Sequence, residues 1–350
     1  RARRARFDPA SGMSRLVTER VTRAEAAQRQ GRAGRVAPGV CYRLWTRGEE
    51  GALAAFPPPE IAAADLAPLA LELALWGSDA LAFLTPPPPP ALAEARMLLA
   101  GLGALEGGRI TPHGRALAAL PLHPRLGHML LMADGSPDAP LMAALLADRD
   151  PLRGAPPDLA LRLAALRDPA RHNVDRGTSD RIRLEARRLA RLAPKGNGAL
   201  SPGALAALAY PDRIGLRRKG EAPRWLLASG KGAVMEPGLP LSGEPMLVAT
   251  DLDGDPREAR IRQAAPLTRA AFDAAYGDRC ERQSVCIWDA REGRVIARQQ
   301  LIFGALVLED RHWPDAPPEA LARAALEGLR ASGLPWAPAA TRLRARLRLA

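Results

Sequence analysis

The stretch Gln28-Arg29-Gln30-Gly31-Arg32-Ala33-Gly34-Arg35 carries the sharpest signal in the chain. Just before it, Thr22-Arg23-Ala24-Glu25 has the S/T-x-x-E form of a helix capping box, which predicts a short helix running to about Gly34. On such a helix Gln28, Arg32 and Arg35 stand at i, i+4 and i+7, so one amide and two guanidinium groups share a face. Gly31 and Gly34 are poor helix residues, and two so close suggest that a ligand or another backbone approaches there. An array of guanidiniums suits a triphosphate as charge moves off its γ-phosphate, because the planar fork is always charged and donates two bonds at once.

Beyond this helix Pro38-Gly39 is a break, and Val40-Cys41-Tyr42-Arg43-Leu44-Trp45 reads as a strand. Pro57-Pro58-Pro59 marks a boundary. Leu66, Leu69, Leu73 and Trp76 recur at helical spacing, and Ala91 to Leu102 is a second helix. Leu105 to Thr111 reads as a short hairpin turning at Gly107-Gly108, and Thr111-Pro112 starts a third helix. Helix, helix, hairpin, helix is the order of a winged-helix module. Pro124 to Arg167 alternates apolar helices with Pro/Gly breaks. Thr178 to Ala193 is a basic helix, and Pro202 to Tyr210 another helix, so this part reads as an α-helical bundle. The period then changes. Trp225–Ala228, Gly232–Met235, Pro245–Thr250, Ala259–Ala265 and Val285–Asp289 are short strand candidates, as in a small β-barrel that Glu292 to Leu308 continues. Pro314 onward is Pro-rich and then helical.

Composition bounds these readings. At 350 residues the chain is too long for one ordinary core. With 47% hydrophobic and 25% charged residues it is neither wholly disordered nor collagen-like. No apolar run is long enough to span a membrane, so no membrane partner is expected. The net charge of +12 favours a polyanion. Lysine, however, occurs only at Lys195, Lys219 and Lys231, and Ala, Arg, Pro and Gly abound, as a GC-rich genome writes whatever the function. Cys41, Cys280 and Cys286 form no CxxC pair, so neither a disulfide framework nor a zinc site is expected, and a reducing, cytoplasmic setting fits. The chain opens Arg1-Ala2-Arg3-Arg4-Ala5-Arg6 without a starting Met or an apolar signal core, and is expected to be cut from something longer and not secreted.

The stretch Gln28–Arg35 matches QRxGRAGR, and on it the chain resembles the DEAH-box helicases of superfamily 2, in which this is motif VI. Further segments are similar to that family: Val21–Ala27, Gly39–Leu44, Glu60-Ile61, Asp65-Leu66, Gly101–Leu105, Ile110–Arg115 and Pro121–Leu126. Asp212-Arg213-Ile214, Arg224–Gly230 and Val248–Asp253 resemble its bacterial HrpB subgroup. The resemblance implies a multidomain α+β chain. Residues 1–47 would be the remnant of a RecA-like α/β lobe, 48–123 a winged helix, 124–200 a ratchet-like helical bundle, 201–308 an OB-like barrel, and 309–350 the start of an HrpB-type C-terminal region.

The same resemblance implies an ATP-dependent helicase that acts on single-stranded nucleic acid, RNA before DNA. Gln28, Arg32 and Arg35 would face the γ-phosphate of ATP, with Arg32 and Arg35 as arginine fingers and Arg29 supporting the fold or the other lobe. Yet no GxxxxGK[ST] occurs: Ser229-Gly230-Lys231-Gly232 lacks the Ser/Thr that would hold Mg²⁺. No Asp-Glu-x-His occurs either. The Mg²⁺ ligands are expected ahead of Arg1, and the chain alone is expected to be inactive. The alternative is a nucleic-acid-binding or adaptor module without a motor.

Weaker signals are weighed against plainer readings. Arg181, Arg187, Arg188 and Arg191 on the basic helix could track phosphates, or form a solvated face with Glu185 pairing to a neighbouring arginine. Arg217, Arg218 and Lys219 near Trp225 could bind backbone and stack bases, or be a basic loop beside a core tryptophan. His113, His123, His128 and His172 lack metal-like spacing, and Asp251, Asp253 and Asp255 lack the Glu of a calcium loop, so no metal site is expected. Nothing indicates a protein partner or an oligomeric state.

Overall fold

An antiparallel hairpin opens the chain: β1 (Ala2–Asp8) pairs with β2 (Met13–Glu19), Ala2 opposite Glu19. The structure is a computed structural model describing residues 1–8, 13–255, 257–333 and 337–349. The helix α1 (Arg23–Ala33) follows, capped as the sequence predicts. The Glu25 N–H donates to Thr22 Oγ1 at 3.2 Å, and the Thr22 N–H donates to Glu25 Oε2 at 2.8 Å. Gly34 is its C-cap, so Arg35 lies in the turn beyond the helix. The expected row of three on one helical face therefore reduces to Gln28 and Arg32.

Val40–Trp45 forms no strand. Its propensity is right, but no other strand lies beside it among the described residues to take its backbone N–H and C=O groups. Val40, Tyr42 and Leu44 are 75%, 84% and 93% exposed. A short helix, α2 (Arg47–Gly51), with a capping box on Thr46, ends this segment.

The next module is α3 (Ala67–Trp76), α4 (Pro89–Gly101), β3 (Leu105–Glu106), β4 (Arg109–Ile110) and α5 (Pro112–Ala118). Leu71 of α3, Leu99 of α4, Leu105 and Leu117 share one core, and each fully buried leucine contributes about 1.5–3 kcal/mol. The hairpin turns on Gly107 (φ 55°) and Gly108 (φ 79°), a pair of left-handed positions that favours glycine at both.

Five helices follow: α6 (Pro124–Met132), α7 (Ala139–Ala147), α8 (Leu159–Arg167), α9 (Arg176–Ala190) and α10 (Pro202–Ala209). Proline opens α6 and α10, where its missing N–H has no intrahelical partner to lose. Leu130, Met142, Leu163, Ile182 and Leu205 are buried in this part.

Five strands then close a barrel in the order β5-β6-β7-β9-β8: β5 (Ile214–Arg217), β6 (Arg224–Leu227), β7 (Gly232–Val234), β8 (Met246–Leu252) and β9 (Glu258–Pro266). Only the β7–β9 pairing is parallel. Alternation on β9 buries Ala259, Ile261 and Gln263 and exposes Arg260 and Arg262, as period two requires. Trp225 fills the interior, fully buried, with its indole N–H donating to the Glu244 carbonyl at 3.0 Å.

The barrel ends at Pro266, and α11 (Arg269–Tyr276) follows. The expected continuation through 292–308 does not occur. Those residues belong to a separate antiparallel sheet of β10 (Glu281–Asp289), β11 (Arg294–Phe303) and β12 (Leu306–His312), followed by α12 (Pro318–Ser332) and α13 (Pro338–Leu349). The reason is pairing: the barrel strands already close on one another, leaving no edge to extend. The chain divides into two compact units, residues 1–275 and 276–350. Among the described residues no helix is long and apolar enough to cross a membrane.

Candidate functional site

The helix α1 is anchored at its first turn and open at its far end. Ala26 is buried with Ala2, Val21 and Leu53, and the Arg23 and Ala24 N–H groups donate to the carbonyls of Ala54 and Ala55 at 2.9 and 3.0 Å. Gln28, Arg32 and Arg35 are exposed, and among the described residues none of the three makes a side-chain hydrogen bond or ion pair. Their neighbours are committed. Arg29 Nη1 donates to the Arg1 carbonyl at 3.3 Å. Arg43 bridges Gln30 Oε1, at 2.7 Å, and Glu50. Open space lies beside both Gly31 and Gly34, with nothing within 4 Å of a Cβ built on either. Two guanidinium groups and an amide thus stand free at one end of a fixed helix, with room for an anion.

Arg4 is the residue that sequence reading missed here. From β1 its Nη1 donates to Glu19 Oε2 at 2.8 Å and its Nη2 to Glu25 Oε2 at 2.5 Å. Glu25 is the capping-box acid of α1, so one guanidinium ties the hairpin to the start of the motif VI helix. The Thr22 backbone N–H and the Arg4 guanidinium hold the Glu25 carboxyl below its ordinary range. No local pattern announces this contact, because the partners are 21 positions apart.

The basic helix α9 buries Ile182, Ala186 and Leu189 and turns Arg181, Arg188 and Arg191 outward at i, i+7 and i+10, with Arg187 beside them. Arg181 is held by Asp148 at 3.0 Å, and Arg188 meets Glu185 at 3.6 Å. Arg187 and Arg191 have no ion pair among the described residues. On the barrel, Arg218 and Lys219 are exposed in the β5–β6 loop, while Arg217 is half-buried and donates to the Glu221 carbonyl at 3.3 Å. The base-stacking reading of Trp225 is corrected: a fully buried indole has no face to offer a base.

A buried polar network joins bundle to barrel. Arg125 of α6 forks onto Asp212, Nη1 to Oδ1 at 2.5 Å and Nη2 to Oδ2 at 3.0 Å, and its Nη1 also donates to the Ala209 carbonyl at 3.2 Å. Arg125 and Arg213 stand 5.3 and 4.6 Å from the centroid of the Tyr210 ring. Burial would raise the Asp212 carboxyl, but the charge and hydrogen bonds of Arg125 hold it below its ordinary value. His123 Nε2 lies 3.2 Å from Asp65 Oδ2, and His113 and His128 contact each other at 2.8 Å. Among the described residues no group of three or more acidic, histidine or cysteine side chains is placed to hold a metal ion.

Comparison with known proteins gives this geometry its relatives. Residues 279–312 match the family described as ATP-dependent RNA helicase HrpB, connector region. The chain is 34% identical over 353 residues to ATP-dependent RNA helicase HrpB of Escherichia coli (strain K12), covering 98% of this chain and 42% of that protein. It is 38% identical over 130 residues to probable ATP-dependent RNA helicase DHX34 of Homo sapiens, covering 36% of this chain and 11% of that one. The crystal structure of the E. coli DExH-box NTPase HrpB matches with a TM-score of 0.76 and 32% identity, covering 99% of this chain and 43% of that chain. The chain spans about two fifths of the length of the HrpB proteins it matches. Similar at that identity over nearly its whole length, the chain is homologous to the C-terminal part of HrpB and of DEAH-box ATP-dependent RNA helicases.

Proposed function

We propose that this chain works as part of an ATP-dependent RNA helicase, in which Arg32 and Arg35 are the arginine fingers and Gln28 assists them at the γ-phosphate. The observation that carries the reading is that these three side chains are exposed and uncommitted, whereas Arg4, Arg29 and Arg43 around them are spent on the fold. Free guanidiniums beside open space fit a triphosphate. The Mg²⁺ that accompanies ATP would take its ligands from outside this chain. When bound, ATP supplies the phosphoryl group whose transfer to water drives strand movement. The residues of this chain donate hydrogen bonds to the γ-phosphate oxygens as charge builds there, and α1 holds them in place through its capped first turn. Without such a ligand Arg32 and Arg35 have no evident use, which favours the motor over a bare binding module.

The remaining parts fit the same reading. Residues 48–123 have the helix, helix, hairpin, helix order of a winged helix, and the five-stranded barrel has the size of an OB-like fold. Arg187, Arg191, Arg218 and Lys219 are the uncommitted cations among those expected to contact single-stranded RNA, while Arg181, Arg188 and Arg217 are partly engaged. The test is Arg32→Ala in the intact protein. ATP turnover is expected to fall roughly 10³-fold, the range of arginine fingers, with RNA affinity in the absence of nucleotide unchanged. An unchanged turnover overturns the role.

A further inference from the structure

The helix–hairpin module between residues 48 and 123 carries a groove that neither motif VI nor the basic helix explains. Its volume is about 660 Å³, and its walls include Leu73, Trp76, Asp79, Arg96, Arg109 and Arg115. Trp76 is the last residue of α3. The chain turns away at Gly77 (φ 84°), and the indole is left 74% exposed. Around it stand three guanidiniums and one carboxylate. Arg96 is held by Asp79 at 2.5 Å. Arg109, on the hairpin, and Arg115, on α5, are exposed and make no side-chain hydrogen bond or ion pair among the described residues.

We propose that this groove binds single-stranded RNA, one base stacking on Trp76 while Arg109 and Arg115 take phosphates. The choice of RNA as the polymer rests on the function proposed above; the site rests on its own residues. An exposed indole offers a π-face that any base can use, and uncommitted guanidiniums supply non-directional phosphate contacts, so the pairing suits a strand of any sequence. Charge argues against a protein occupant. A groove that received an apolar helix would keep its cations at the rim, whereas here arginines share the walls with the exposed Trp76 ring. Because Trp76, Arg109 and Arg115 sit on three elements of one module packed on a common core, the backbone positions that carry them are fixed before RNA arrives.

The experiment uses the intact protein without nucleotide and a fluorescein-labelled 30-nucleotide polyuridine RNA, with Kd read by anisotropy over a series of KCl concentrations. Trp76→Ala is expected to raise Kd about tenfold, the order of one base–aromatic stack, and Trp76→Phe to restore most of the loss. The double variant Arg109→Ser with Arg115→Ser is expected to lower the slope of log Kd against log salt by about 1.4, at about 0.7 per phosphate on a single strand. If all three variants bind as the parent does, the groove is covered by protein and the proposal is overturned. It is also overturned if Trp76→Phe binds as weakly as Trp76→Ala, or if the salt slope stays unchanged. Arg32→Ala, read by ATP turnover alone, separates the two conclusions: its failure removes the arginine fingers and leaves the RNA result at Trp76 standing.

Discussion

Arg125 and Asp212 show how one buried pair can fix an architecture. The fork joins α6 to the turn before β5, across 87 positions of sequence, with the Arg125 side chain 7% exposed. Arg125→Met removes the guanidinium and leaves a carboxylate in a site built for a pair. The expected loss is about 3 kcal/mol, at the low end for a broken buried pair because Asp212 keeps some contact with water, read as a fall in the urea midpoint. The pH dependence follows from the depressed Asp212 carboxyl. Its stabilisation is fully present above the unfolded value near about 3.9 and is lost as pH falls through the lower folded value. In Arg125→Met, only the charge of Arg213 and a backbone hydrogen bond still oppose burial at Asp212, so acid has less stabilisation to remove and the gap between parent and variant is expected to narrow below about pH 4. Sequence reading found both residues only as pieces of family-like segments, because local patterns carry no sign of a partner so distant. Gln28 and Arg32 were legible for the opposite reason: their relation is a helical spacing, and the capping box at Thr22 declares the helix. Arg35 was misplaced because Gly34 ends that helix before it.

The contact between α10 and the barrel is a close approach of two backbones. A Cβ at Gly203 would meet the Pro266 carbonyl oxygen at 1.9 Å, and Pro266, at the end of β9, is held in the sheet opposite Leu247 of β8. Gly203→Ala must push helix and sheet apart, and a cost of about 1–3 kcal/mol is expected, as for overpacked cores, seen as a lower melting temperature. An equal melting temperature would mean that α10 shifts freely on the barrel. The helices themselves were readable, since period 3.6 and the prolines and glycines at their ends are local signals. Strands were less so. Val40–Trp45 has strand propensity and no partner among the described residues, and β11 has partners other than the expected ones, because propensity says nothing about which strand lies alongside. The β1–β2 hairpin was missed for a third reason: Ala2-Arg3-Arg4-Ala5-Arg6 has little β-propensity, and its strands are held by register and by Arg4.

Division into residues 1–275 and 276–350 has a thermodynamic consequence. The first unit holds most of the buried apolar side chains, including the barrel core around Trp225 and the core of α3 to α5. In the second, the described buried apolar residues are few (Tyr276, Ala297, Leu306 and Ala324), and Ile287 and Val307 on its sheet are 54% and 39% exposed. A unit of that size and burial is only marginally stable. It is therefore expected to unfold first on heating, so the chain should not melt in one step. Scanning calorimetry should give a measured enthalpy larger than the van't Hoff value, the mark of more than one cooperative unit. Hydrogen exchange should order the same way, with amides of β10, β11 and β12 exchanging sooner than those of β8 and β9. A chain ending at Ala275 should retain the higher transition and lose the lower one. A single transition with equal enthalpies, abolished as a whole by that truncation, would instead make the second unit part of the first unit's core, and the barrel would then depend on strands it does not pair with.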